Sequence, residues 1–177
     1  LDLKFHDIPN TVAAAVKVAA DMGVWMLTVH AAGGRRMLEQ SHEVLQPYGG
    51  QRPLLVAVTL LTSLDDADLR ELGVGVSAYD YVQRMVNLSR GCGLDGVVCS
   101  AHEAARLRAL TGPEFLLVTP GIRQPGAQQS DQKRTLSARE AFVAGSSYLV
   151  VGRPITQSAQ PMRTLRALIA DMSHSTI

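Results

Sequence analysis

The most constraining feature of the sequence is a repeated alternation of two periods. Short runs rich in Val, Leu and Phe occur at about 1–5, 26–31, 54–59, 96–100, 115–119 and 148–152, and helix-like stretches separate them. A strand followed by a helix, repeated six times, predicts an α/β fold in which a parallel sheet is covered by helices. The first helix, roughly 11–22, is almost wholly apolar apart from Lys17 and Asp21, an i,i+4 pair that marks one solvated line. Met37, Leu38, Val44 and Leu45 form the apolar stripe of a second helix around 36–46, and Val82, Met85 and Val86 that of another near 79–89. Ser100 with Glu103 and Ser137 with Glu140 have capping-box spacing, while Gly23, Gly112 and Gly145 stand where helices should stop.

Two architectures satisfy this order, a doubly wound sheet and a (β/α)8 TIM barrel. No Gly-x-Gly-x-x-Gly follows a strand. Polar residues instead stand near most strand C-termini: Lys4 and Asp7, His30, Thr59 and Thr62, Ser100, Arg123, and Arg153. Chemistry spread over the strand ends is the habit of the barrel, so the expectation is one partial barrel domain over 1–177. Six of eight βα units are then visible, and two N-terminal units are expected to be missing, since the chain opens on Leu1 and directly on a strand-like run.

Composition narrows the partners. With 177 residues, 46% of them hydrophobic, the chain can bury a substantial core. Lys and Arg number 17 against 16 Asp and Glu, a balance that offers no electrostatic footprint for nucleic acid or an anionic membrane surface. A small-molecule ligand is expected instead. Cys92 and Cys99 form no metal-spaced set and suit a reducing, cytoplasmic compartment, and neither a membrane span nor a signal peptide is recognisable.

The opening segment, from Leu1 to Thr11, carries the densest chemistry. On a strand Asp2 and Lys4 share a face, predicted to look into the barrel mouth while Leu1, Leu3 and Phe5 look toward the helices; Asp7 lies past the strand end and can aim elsewhere. Opposite charges so close favour both ionised forms and fix the ammonium. Such a pair could be purely structural, but placing two charges inward on an apolar strand is costly unless function requires it. A second cluster begins at Thr119-Pro120-Gly121-Ile122-Arg123 and continues through a Gln-, Gly- and Pro-rich stretch, read as a lid over 122–136. After the last strand, Gly152 and Arg153 offer open backbone N–H groups and a guanidinium fork, the means by which barrels hold phosphate. His30 is expected to be a hydrogen-bonded barrel histidine rather than a metal ligand, and Asp65, Asp66 and Asp68 to be first-turn charges of a short helix. His42, His102 and His174 are assigned to helix surfaces, and Trp25 and the tyrosines are too scattered to stack nucleic-acid bases.

Taken together, Asp2-x-Lys4-x-x-Asp7-Ile8-Pro9-Asn10-Thr11, Thr119-Pro120-Gly121-Ile122-Arg123, Asp131-Gln132 and Gly152-Arg153-Pro154-Ile155-Thr156 resemble the bacterial branch of the orotidine 5′-phosphate decarboxylase family, from residue 1 to about 170. The resemblance implies decarboxylation of orotidine 5′-phosphate to uridine 5′-phosphate without metal or organic cofactor, with Lys4 as proton donor and Asp2 as its charged neighbour. It also implies a homodimer in which Asp7 and Thr11 reach the partner's site. Thr62 and Gln132 would contact the pyrimidine, and Arg123, Gln132, Gly152 and Arg153 would form the nucleotide and phosphate site. The Asp and Lys that the family carries on its first two strands would precede residue 1. Two other readings stand beside this one: a related Mg2+-dependent keto-sugar-phosphate decarboxylase, against which the Ile8-to-Thr11 continuation and Gln132 argue, and a noncatalytic nucleoside-monophosphate binder, against which the paired Asp2 and Lys4 argue.

Overall fold

The structure, a computed structural model, describes residues 1–122 and 136–173. Its elements follow in the order α1 (Pro9–Asp21), β1 (Met26–His30), α2 (Arg35–Glu43), β2 (Leu54–Val58), α3 (Asp66–Glu71), α4 (Ala78–Gly91), β3 (Gly96–Val98), α5 (Ala101–Thr111), β4 (Leu116–Thr119), α6 (Ala138–Val143), β5 (Tyr148–Leu149), α7 (Arg153–Thr156) and α8 (Pro161–Ser173). The chain divides into two compact units, the first of residues 1–60 and 76–98, the second of 61–75 and 99–177.

In the first unit β1 pairs in parallel with β2, from Met26 opposite Leu54 to His30 opposite Val58, and β2 pairs with β3 from Val56 opposite Gly96 to Val58 opposite Val98. Alternation then fixes what each strand offers. Leu27 and Val29 of β1 and Leu55 and Ala57 of β2 are wholly buried in the same cluster as Val12 and Val16 of α1 and Met37 and Leu38 of α2. Each such Leu or Val contributes about 1.5–3 kcal/mol by leaving water. Thr28 and His30 therefore stand on the opposite face of β1. Helix α1 begins at Pro9, two residues earlier than the apolar period suggests, because proline at the first helical position needs no N–H partner and already has a helical φ. It ends where Gly23, at φ +71°, donates its N–H to the Ala20 carbonyl. Arg52 and Asp95, just before β2 and β3, form a two-pronged ion pair with both contacts at 2.7 Å, and the Leu55 N–H donates to the same carboxylate at 2.7 Å.

In the second unit β4 and β5 run parallel, with Val118 opposite Tyr148 and Thr119 opposite Leu149. Ala101, Ile122, Ala138, Ala141 and Leu168 make its buried cluster, with Leu136, Leu149, Val151, Ile155 and Met172 packed around them. Both expected capping boxes are present, at Ser100 with Glu103 and Ser137 with Glu140. A third joins Asp65 to Asp68, so these two aspartates do more than complement the dipole of α3: each carboxylate accepts a backbone N–H of the other residue. No helix among the described residues is long and apolar enough to cross a membrane.

The opening run departs from expectation. Phe5 alone bridges to Val29, and Leu1 and Leu3 are exposed rather than packed under helices. The reason is local. Lys4 has φ +54°, the one non-glycine residue in the left-handed region among the described residues, and that turn breaks the extended geometry a ladder needs.

Candidate active site

The opening segment lies along the start of β1. Phe5 N–H donates to the Thr28 carbonyl at 3.1 Å and His30 N–H to the Phe5 carbonyl at 2.9 Å, while the Lys4 N–H donates to the Thr28 hydroxyl at 2.9 Å. A left-handed conformation costs a β-carbon-bearing residue about 1–2 kcal/mol, so surrounding contacts must hold it in place. That conformation does not separate the two charged side chains. Lys4 Nζ donates to Asp2 Oδ2 at 2.7 Å, and the Thr28 hydroxyl donates to Asp2 Oδ1 at 2.9 Å.

The pair is more open than an inward-facing strand implies, with side-chain exposures of 37% for Lys4 and 57% for Asp2. Burial alone would raise the Asp2 pKa, but the hydrogen bonds from Lys4 and Thr28 and the lysine charge outweigh it and hold the carboxyl below its ordinary value. Asp2 is therefore a carboxylate at neutral pH. His30 sits beside the pair with its ring centroid 5.2 Å from that of His6, inclined at 30°. Burial, followed by repulsion from His6 and Lys4, lowers its pKa and favours the neutral ring. This tilted ring contact with His6 is what the structure shows for His30, for which the sequence suggested a hydrogen-bonded role.

The remaining candidates divide by place. Asp7 is exposed and its Oδ1 accepts the Ile8 N–H at 2.6 Å, turned to its own backbone. Thr11 is exposed in the first turn of α1. Thr62 is buried in the second unit, where Gly152 precedes α7 and Arg153 opens it. Among the described residues a β-carbon at Gly152 would meet nothing within 4 Å, so packing against them does not require glycine there. Arg123 and Gln132 lie outside the described residues, as does the interior of the expected lid; its two ends are tied where Ile122 bridges to Leu136 and the Leu136 N–H donates to the Gly121 carbonyl at 3.3 Å. Thr59 and Ser100, noted as polar strand ends, are used structurally: the Thr59 hydroxyl donates to the Val98 carbonyl at 3.0 Å and Ser100 caps α5. Among the described residues no three His, Cys, Asp or Glu side chains are grouped to hold a metal. Thr28 was not singled out by the sequence. Its only signal is a hydroxyl in the otherwise apolar run Met26-Leu27-Thr28-Val29, on the face opposite Leu27 and Val29.

An ammonium fixed by a carboxylate at the edge of a parallel sheet can stabilise a developing negative charge and deliver a proton to it. Known proteins resemble the chain over nearly its whole length. Residues 1–168 match the model of the Orotidine 5'-phosphate decarboxylase / HUMPS family. An orotidine 5'-phosphate decarboxylase of Psychromonas ingrahamii is 58% identical over 94% of this chain and 71% of its own length, and one of Escherichia coli is 54% identical over 99% and 71%. The crystal structure of orotidine 5'-phosphate decarboxylase from Lactobacillus acidophilus superposes with a TM-score of 0.83 at 39% identity, over 97% of this chain and 74% of that one. The fold class is accordingly α/β of the TIM-barrel type, and the chain belongs to the Orotidine 5'-phosphate decarboxylase / HUMPS family.

Proposed function

We propose that the protein decarboxylates orotidine 5′-phosphate to uridine 5′-phosphate in pyrimidine biosynthesis. The observation that carries this reading is the Lys4 ammonium held at 2.7 Å by Asp2. When the bond from C6 to the carboxylate breaks, CO2 leaves and the electron pair remains at C6 in the plane of the ring, where no conjugated acceptor can take it. Stabilisation must come from a charge placed beside C6. Of the three N–H donors of Lys4, one is committed to Asp2, which leaves donors for the carbanion. Lys4 first lowers the energy of the developing negative charge, then transfers a proton to C6 and regains one from solvent. Asp2, ionised throughout, keeps the ammonium in position.

On the same reading the protein is a cytoplasmic homodimer. Asp7 and Thr11, both exposed, complete the partner's site, and exposed Leu3 and Ile8 on either side of Asp7 supply apolar surface for that association. Thr62 and Gln132 contact the pyrimidine, and Arg123, Gln132, Gly152 and Arg153 the nucleotide and its phosphate. The open space over Gly152 supports approach of an anion to the backbone there. The test is conversion of orotidine 5′-phosphate by the intact protein in the presence of EDTA. Sustained turnover is expected. Loss of turnover on chelation with recovery on adding Mg2+ would favour the metal-dependent sugar-phosphate reaction, and absence of turnover in both conditions would favour a binding protein.

A further inference from the structure

We infer that Thr28 is a positioning residue for the charged pair: its hydroxyl, on β1, orients the Asp2 carboxylate and through it the Lys4 ammonium. The inference rests on the proposed decarboxylation, because it concerns the group that would act at C6. The hydroxyl has one proton to give. The Lys4 N–H approaches Thr28 Oγ1 at 2.9 Å as a donor, so that contact occupies a lone pair of the oxygen. The hydroxyl proton is then directed to Asp2 Oδ1, 2.9 Å away, which accepts only. Asp2 Oδ2 is left to receive Lys4 Nζ at 2.7 Å. Both oxygens of the carboxylate are thus committed, one to the strand and one to the ammonium.

The two partners differ in rigidity. Asp2 and Lys4 belong to an irregular, partly exposed segment with a left-handed residue in it. Thr28 is 6% exposed, lies between the wholly buried Leu27 and Val29, and pairs with Val56 in the ladder. Its branched β-carbon restricts χ1, so the hydroxyl direction follows from the strand. Thr28 also offers its carbonyl to the Phe5 N–H at 3.1 Å, which fixes the segment on the other side of Lys4. One residue therefore holds the strained Lys4 backbone by its N–H and the Lys4 side chain by way of Asp2. The lowered pKa of Asp2 is consistent with a carboxylate that accepts both bonds.

Thr28→Val keeps the shape of the side chain and removes both hydroxyl bonds. It should lower kcat about ten- to a hundredfold, the effect expected of one hydrogen bond to a charged group, while KM for orotidine 5′-phosphate changes much less. Carbon-13 titration of the Asp2 carboxyl should show its pKa rising in Thr28→Val, and Thr28→Ser should restore both kcat and the titration. Thr28→Ala serves as the second hydroxyl-free variant if valine is not accommodated. Wild-type kcat and an unmoved Asp2 titration in the hydroxyl-free variants would overturn the inference, as would Thr28→Ser behaving like Thr28→Val, since packing by the methyl group would then be the role. A wild-type protein without decarboxylase activity would defeat the proposed function instead, and the Asp2 titration, which needs no turnover, would still decide whether Thr28 orients the carboxylate.

Discussion

Lys4 combines a strained backbone with a charge that one carboxylate anchors, and nothing else in the opening segment can replace its ammonium. Lys4→Ala should therefore reduce turnover by at least the 10²–10⁴-fold, on the order of magnitude typical of losing a general acid alone, with further loss because the charge disappears as well. Steady-state assays with matched circular dichroism check this; a variant retaining more than about a tenth of wild-type kcat would remove Lys4 from the reaction. His30 gives a pH prediction. Its pKa is lowered from 6.5 by burial and by His6 and Lys4, so the unfolded chain takes up a proton at higher pH than the folded one. The stability it contributes is present above about 6.5 and is lost as pH falls toward the lower folded value. Asp2, also lowered, acts by the same sign, its contribution being lost only as pH falls below its ordinary value of 3.8, so the two windows are separate. Urea unfolding of wild type and His30→Gln from pH 8 to pH 5 should show a steeper loss in wild type; parallel curves would contradict the assignment. Asp2 and Lys4 were legible in the sequence because charges are rare in an apolar run. Thr28 was not, because threonine is an ordinary strand former and only the path of the opening segment brings its hydroxyl to Asp2.

Helix ends were the most legible elements, because their chemistry is local. Ser100 and Glu103 satisfy each other's backbone N–H groups within four residues of sequence, and both are buried. Non-local anchors escaped notice for the opposite reason. Arg108, near the end of α5, donates to the carbonyls of Gly112 at 2.6 Å, Phe115 at 2.8 Å and Gly145 at 2.8 Å, and to the Ser147 hydroxyl at 2.9 Å. One guanidinium thus fastens the turn after α5 to the turn after α6, a link that no spacing rule reveals. Lysine cannot reproduce a planar fork with five donors, so Arg108→Lys should destabilise the protein by roughly 1–3 kcal/mol although charge is kept. Chemical unfolding measures it, and a change below about 0.3 kcal/mol would mean that water replaces the lost bonds. The opening run failed as a strand on equally local grounds: alternating hydrophobicity at Leu1, Leu3 and Phe5 cannot signal that Lys4 adopts φ +54°.

At the scale of the whole molecule, the strand–helix alternation was readable because parallel strands must be separated by crossovers, whereas the partner that each exposed group meets is not encoded in any period. Asp7 poses that question most sharply. It follows Lys4 by three residues, yet its carboxylate turns to the Ile8 N–H, while among the described residues it is Asp2 that holds the ammonium. If Asp7 serves the site of a second subunit, Asp7→Ala and Lys4→Ala are defects in different halves of a shared site. Each homodimer is then inactive at both sites. A mixed dimer holds one site with Lys4 and the partner's Asp7 intact and one site that lacks both, so an equimolar mixture after random exchange, half of it mixed dimers, should recover on the order of a quarter of wild-type sites. Native mass spectrometry would establish that mixed dimers have formed before activity is read. No recovery in their presence would place Asp7 in the site of its own subunit, and the exposed Leu3 and Ile8 would then need a different partner.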